Sequence, residues 1–519
     1  MKEQSELNVL FKEEDVSKVE KAANVEREQK QTAYTKNPSV APPQWSKLLA
    51  LAGYASTLGS AVPVGYCVGV MNSPAVHMRL WCNETLILRY DLHLSSAGID
   101  ILWSVIVSIF LVGGAVGSFG GAWTANKYGR KGTVLICGVL LLIGAILFFT
   151  CRCVGSVEML IIGRFIGGLA AGLTTASLPM YLTEIAPLSL RGTLGVFCVV
   201  GMTAGVVVGQ IFSLQIVFGS DANWHIALSF YIFLLLICYA PFRYFPESPK
   251  WLYIVKGNTE LARKELVRLR GSENKAIIDE EIHDMEVESN IEGQSSSFGA
   301  VLKDPTLLLP LVIVCAYQGG QQLSGINAIF FYSVSIFRQA GLSTTAAEWA
   351  NLGAGSLNLA ISLLGPFLMS RVNRRTLMLF SSSTCAMALL SFAVMSYFMN
   401  SVSWFAQGCI ACIFLYIFFF QFGVAPIPFF IGSELFEVSP RPVAMAMGSL
   451  SSWSCNFIIG MTFPSLLNAW GALVFLPFSI TCVLLFVLTK LYLPETRGRD
   501  PSAVAPLMAL GFKSKVNAK

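Results

Sequence analysis

Residues 316–327 read Ala-Tyr-Gln-Gly-Gly-Gln-Gln-Leu-Ser-Gly-Ile-Asn, which sets Gln318, Gln321, Gln322, Ser324 and Asn327 in an otherwise apolar stretch. Carboxamides donate and accept hydrogen bonds at once, the chemistry that suits sugar hydroxyls. Gln318, Gln321 and Gln322 stand at i, i+3 and i+4, on one face of a helix. Glycines at 319, 320 and 325 weaken that helix and permit a break. Bonding between helices is the alternative use of such amides. Five amide or hydroxyl groups this close together exceed what packing needs, and the reading favoured is a polar ligand cavity.

A second set is charged. Glu184 and Arg191 flank apolar runs, and Glu434 and Arg441 repeat the same seven-residue spacing. Charges beside hydrocarbon are costly unless they are paired or reach the interface. Interfacial decoration is one reading. The preferred one is an ion-pair network of Arg130, Arg164, Glu184, Arg191, Arg374, Arg375, Glu434 and Arg441, joining two halves of the protein on the cytosolic side. Such a network holds one state and breaks for the other.

Isolated amides occur at Gln210, Asn358, Gln421 and Asn456, each equally suited to packing or to ligand contact. Pro426 and Pro428 remove helical hydrogen bonds and kink their span. Phe429, just past that kink, either closes over a ligand or fills core. No catalytic constellation appears. The four histidines, His77, His93, His225 and His283, lie in or beside loops, and none has triad spacing. A phosphate-binding glycine loop is absent. The sequence therefore reads as no enzyme, with no cofactor and no metal site.

These groups need elements to hold them. Hydrophobic residues make up 54% of the 519 and charged residues 13%, with a mean hydropathy of +0.62; an ordinary soluble domain is about a quarter charged. The stretches Ile136–Thr150, Ile226–Pro241 and Leu473–Thr489 carry no charge. With about 20 apolar residues needed to cross a bilayer, the pattern predicts an all-α membrane protein of twelve transmembrane helices in two pseudo-symmetric six-helix halves. Its parts are a polar cytosolic tail (1–46), a first half (47–243), a cytosolic linker with amphipathic helices (244–304), a second half (305–493) and a cytosolic tail (494–519). The net charge of +5 is modest and shows no basic patch of the kind nucleic acid requires. Lys and Arg concentrate in alternate loops, which places both termini in the cytosol. Asn83-Glu84-Thr85 is then a glycosylation sequon in an outer loop. Cys82, Cys151 and Cys153 sit near outer loops, where a disulfide could form; most other cysteines act as small hydrophobes.

The halves repeat. Gly129-Arg130-Lys131 recurs as Asn373-Arg374-Arg375, Glu184…Arg191 as Glu434…Arg441, and Pro246-Glu247-Ser248 as Pro494-Glu495-Thr496, all at offsets of 244 to 250 residues. Duplicated halves place a substrate site at mid-membrane between them.

From about residue 50 to 500 the chain resembles the sugar porter family of the major facilitator superfamily, specifically the animal GLUT-type facilitative hexose transporters. The resemblance is carried by the ordered set Asn126…Arg130-Lys131, Gly163-Arg164-Phe165, Glu184…Arg191-Gly192, Pro246…Trp251, Gln321…Asn327, Asn373…Thr376, Ser433…Pro442 and Pro494…Arg499. It implies that Gln321, Gln322, Asn327, Asn358 and Asn456 bind sugar hydroxyls. It also implies that Phe331-Tyr332, replacing the more usual Tyr-Tyr, belong to an extracellular gate. The chain departs from the family at Val199 (glutamine in its glucose carriers), Phe429 (tryptophan), Gln421 (an acidic residue), Ser452 (a second asparagine), Asn373 (glycine) and Ser370 (an acidic residue). Those losses leave fructose or another small solute open beside glucose. Proton-linked relatives carry an Asp beside Gly-Tyr in the first span; here Cys67 follows Gly65-Tyr66, and no carboxylate lies between Lys47 and Arg79. Uniport of a hexose follows as the expectation, with the lipid bilayer as partner and a monomer sufficient. A proton symporter, a non-sugar carrier on the same fold and a non-transporting nutrient sensor are the competing readings.

Overall fold

A computed structural model describes residues 45–514 apart from 72–73, 215, 272–274, 292–297, 331–342, 400–401, 403 and 510. Among the described residues every regular element is helical. In chain order they are α1 (Lys47–Gly69), α2 (Ala75–Tyr90), α3 (Ser96–Val154), α4 (Val157–Ile185), α5 (Arg191–Phe212) and α6 (Trp224–Tyr239). The polar middle of the chain forms α7 (Thr259–Arg270), α8 (Lys275–Ile291) and α9 (Phe298–Lys303). Then come α10 (Pro305–Leu323), α11 (Thr344–Arg371), α12 (Arg374–Tyr397), α13 (Phe405–Phe420), α14 (Ile427–Leu435), α15 (Arg441–Trp470), α16 (Phe475–Tyr492) and α17 (Pro501–Met508).

Short polar residues start many of these helices by accepting from the first free backbone N–H groups. Ser46 caps α1, Ser95 caps α3, Ser156 caps α4, Asp304 caps α10 and Ser343 caps α11. Two expected spans run together in α3 and are separated only by a kink at Gly129, whose φ is +79°. A side chain there would meet the Glu247 carboxylate, so the kink needs glycine twice over. The helices pack closely through small residues; Gly65 and Gly69 of α1 lie against the Met202 and Val206 carbonyls of α5.

Two breaks matter for the site. The polar span stops at Ser324, passes Gly325 at φ +86° and resumes over 326–330. Between α13 and α14 the chain turns through 421–426 ahead of Pro428. Backbone carbonyls freed at membrane depth need new donors, and Gln321 supplies them: its Nε2 donates to the Val424 carbonyl at 3.1 Å and to Ala425 at 2.7 Å.

One buried cluster is built from α1–α6 and another from α10–α16. The two clusters interpenetrate: Trp453 of α15 is sunk into the first, and Ala122 of α3 and Val196 of α5 join the second.

Candidate functional site

A cavity of about 510 Å³ lies between the two sets of helices. Gln321, Gln322, Asn327, Asn358, Gln421, Phe429 and Asn456, all anticipated from sequence, line it together. Their carboxamides are chained. Asn327 donates to Gln322 Oε1 at 2.6 Å, and Gln322 Nε2 donates to Ser452 Oγ at 3.1 Å and to Gln321 Oε1 at 3.3 Å. Gln421 donates to Asn358 Oδ1. Three acceptors on the cavity wall, Gln210 Oε1, Gln421 Oε1 and Asn456 Oδ1, are buried without a hydrogen-bond donor among the described residues. A buried acceptor left open costs about 1–3 kcal/mol, so the wall is poised for a ligand rich in hydroxyl donors.

Gln318 is not part of this wall. It is 0% exposed, both its amide atoms lack partners among the described residues, and Gly448 packs against it. It stands about one turn, roughly 5 Å of rise, before Gln321 and Gln322 on α10 and outside the cavity lining. Phe331 and Tyr332 lie outside the described residues.

Most of the charged set gathers at one end of the molecule, here called the ion-pair end. Glu184 accepts from Arg130 at 2.8 and 3.1 Å, from Ser248 Oγ at 2.5 Å and, across the two halves, from Arg441 at 2.9 Å. The second half repeats the plan: Glu434 accepts from Arg374 at 3.1 Å and Thr496 Oγ1 at 2.5 Å. Glu247 and Glu495 play matching parts, each accepting two consecutive backbone N–H groups, of Arg130 and Lys131 and of Arg374 and Arg375 respectively. The Arg375 guanidinium donates to the Lys490 carbonyl. Arg191 pairs with Asp500 at 3.1 Å, just ahead of α17. Burial pushes the Glu247 carboxyl above its usual range, opposed by the N–H groups of Lys131 and Ser248.

Arg164 stands apart from this network. It shares α4 with Glu184, and their separation of twenty positions spans roughly 30 Å at the α-helical rise. It lines the cavity instead, donating to the Ile106 and Cys67 carbonyls. Asn83 lies inside helix α2 rather than in an open loop, with its amide oxygen buried. Cys82, Cys151 and Cys153 are free thiols.

The cavity narrows to closure toward the ion-pair end, where Arg441 reaches Glu184 and Gly195 abuts Phe430. At the opposite end its lining reaches Ala75 and Arg79 of α2. Sequence reasoning missed Trp453 and Arg79. Trp453 sits three residues before Asn456, hence on the same helix face, and that spacing was available as a signal. Its indole N–H donates to Thr175 at 3.0 Å, and Thr175 and Ser118 both share hydrogen bonds with Ser449. Arg79 was hidden by its position in a segment read as a loop.

Two helical bundles, a polar chamber between them closed at one end, and ion pairs that bridge the closed end define an integral membrane transporter of the major facilitator type. The family model "Sugar (and other) transporter" matches residues 54–506. Solute carrier family 2, facilitated glucose transporter member 3 of Ovis aries is 38% identical over 444 residues, covering 86% of this chain and 89% of that protein. Member 1 of Gallus gallus is 36% identical over 462 residues, covering 88% and 92%. This chain belongs to that sugar transporter family. Among solved structures, the proton:xylose symporter XylE bound to 6-bromo-6-deoxy-D-glucose has the same fold, with a TM-score of 0.76 at 20% identity over 90% of this chain and 100% of that one. The inward-open conformation of XylE gives a TM-score of 0.64 at 20% identity, covering 89% of this chain and 100% of that one.

Proposed function

We propose that the protein is a uniporter for a hexose such as glucose or fructose and works by alternating access in the plasma membrane. The observation that carries this reading is the cavity wall: two hydrogen-bonded carboxamide sets, Gln321–Gln322–Asn327 and Asn358–Gln421, with open acceptors at Gln210, Gln421 and Asn456. A hexose brings several hydroxyl donors to those acceptors and, in turn, accepts from the amide N–H groups. Gln321, Gln322, Asn327, Asn358, Gln421 and Asn456 are the proposed contacts, with Phe429 as the apolar floor.

Positive charge in alternate loops favours a cytosolic ion-pair end and cytosolic termini. The conformation described here is then outward-facing, shut at the ion-pair end by Arg441–Glu184 and by Gly195 against Phe430. Residues 47–243 and 305–493 act as the two moving bodies, tied by Arg441–Glu184 while the cytosolic side is shut. Phe331 and Tyr332 are assigned to the outer gate. Opening inward breaks the ion pairs and no covalent bond, so a monomer suffices.

Downhill transport is favoured over proton coupling because no Asp or Glu lies between Lys47 and Arg79 and none is found among the described lining residues. Uptake of labelled glucose and fructose into proteoliposomes, with a proton gradient imposed in either direction, tests this. Flux of at least one hexose that ignores the gradient supports uniport; flux that follows the gradient establishes symport; no hexose flux refutes the substrate reading.

A further inference from the structure

The polarity of the cavity changes along its depth. α5 lines it with Val199, Met202, Thr203, Val206 and Gln210, a spacing that sets them on one helix face. Arg191 begins α5 at the ion-pair end, so Val199 stands deep; Gln210, eleven positions farther on, lies roughly 16 Å nearer the mouth. Closure itself is Gly195 against Phe430. Just outward of it, Val199 of the first half and Phe429 of the second fall into one buried cluster at 6% and 7% exposed, with Met202 packed against it. Polar atoms beside this floor are already engaged. Thr203 Oγ1 donates to the Val199 carbonyl at 2.6 Å and lies 3.1 Å from Ser362 Oγ, and Gln321 Nε2 is given to the Val424 and Ala425 carbonyls. The open acceptors belong to higher levels. Gln421 precedes the turn that leads down to Phe429, and Asn456 stands fifteen positions along α15 from Arg441. Glutamine and tryptophan, which the glucose carriers resembled by this chain have in place of Val199 and Phe429, would each bring an N–H to the floor; valine and phenylalanine bring none.

We propose that the cavity selects 6-deoxyhexoses, sugars whose exocyclic carbon is a methyl group, over their parent hexoses. This rests on the hexose reading above: the ring hydroxyls meet the carboxamides and open acceptors, and the exocyclic carbon, the one carbon that projects from an aldohexose ring, points at the floor. A hydroxymethyl group there buries a hydroxyl without a partner. A methyl group in its place buries apolar surface against Val199, Met202 and Phe429. The same sugar thus satisfies the polar wall and the apolar floor together.

The full-length protein in proteoliposomes provides the test. Two matched pairs, 6-deoxy-D-glucose with D-glucose and 6-deoxy-D-galactose with D-galactose, compete against whichever labelled hexose is carried. The expected result is that each deoxy sugar competes about tenfold better than its parent. Val199→Gln returns an amide to the floor, and the deoxy-to-parent affinity ratio falls about tenfold, toward parity. Should that variant not fold, Val199→Thr, which keeps the shape and adds a hydroxyl, carries the test and lowers the same ratio. Parent hexoses that compete as well as their deoxy forms, or a ratio unchanged in the folded variants, overturn the proposal and leave the hexose reading intact. If no hexose, deoxy or parent, is carried, both fall.

Discussion

Replacing Arg441 by Gln removes the charge that ties the second half to Glu184 of the first. Breaking a buried ion pair by deleting one partner costs about 3–5 kcal/mol when the other charge is stranded. Glu184 is not stranded, because Arg130 and Ser248 still hold it. The loss is then that of one charge-assisted hydrogen bond, about 2 kcal/mol. It falls on the closed ion-pair end alone, since the bond spans the two halves. The ratio of closed to open states at that end should drop about 30-fold. Pairs of spin labels at the exposed positions Lys127 of the first half and Lys490 of the second report the separation of the halves. They are best introduced as non-cysteine labels, given the thirteen native cysteines. The native protein should show mainly the short distance and Arg441→Gln a large long-distance population. Arg441→Lys keeps the charge but not both guanidinium bonds to the Phe436 carbonyl, and should fall between. A distance distribution unchanged in folded Arg441→Gln refutes the claim that this pair holds the halves together.

Other consequences follow from single contacts. Gln322→Ala removes the hub that links Gln321, Ser452 and Asn327; hexose affinity should fall about tenfold or more, at about 1.5 kcal/mol for the lost bonds, as measured by initial uptake rates over a concentration series. In Gly325→Ala, a residue at φ +86° gains a side chain aimed at the Phe478 ring; the melting temperature should drop, reflecting about 1–3 kcal/mol of strain, and an unchanged melting curve would count against the described helix break. Trp453→Phe keeps most of the ring but loses the donation to Thr175; binding and transport should weaken by about fivefold, read by uptake, with the folded fraction preserved in size-exclusion profiles.

The fold was legible because the bilayer imposes a length rule, and charge-free runs such as Ile226–Pro241 meet it on sequence alone. The repeated Glu–Arg spacing and the paired Pro-Glu motifs carried the internal duplication, and the structure shows what the Pro-Glu motifs are for: Glu247 and Glu495 bind the backbone N–H groups that follow the Gly129 kink and the break between α11 and α12. The polar span showed its chemistry through residue types foreign to a membrane. Depth was what the sequence concealed. Gln318 shares a face with Gln321 but lies a turn too deep, and Arg164 shares a helix with Glu184 yet belongs to the far end. Periodicity gives direction around a helix axis and says less about position along it until a tertiary frame exists. Trp453 stayed hidden for a related reason: an aromatic on an apolar helix looks like core, and only packing shows that it enters the opposite half.

Counterflow addresses the passage itself. Proteoliposomes loaded with unlabelled hexose and placed in trace labelled hexose should accumulate label transiently, with a protonophore making no difference and Gln322→Ala abolishing the overshoot. Absence of any overshoot in the native protein, or a full overshoot in Gln322→Ala, would mean that solute does not travel by way of these carboxamides.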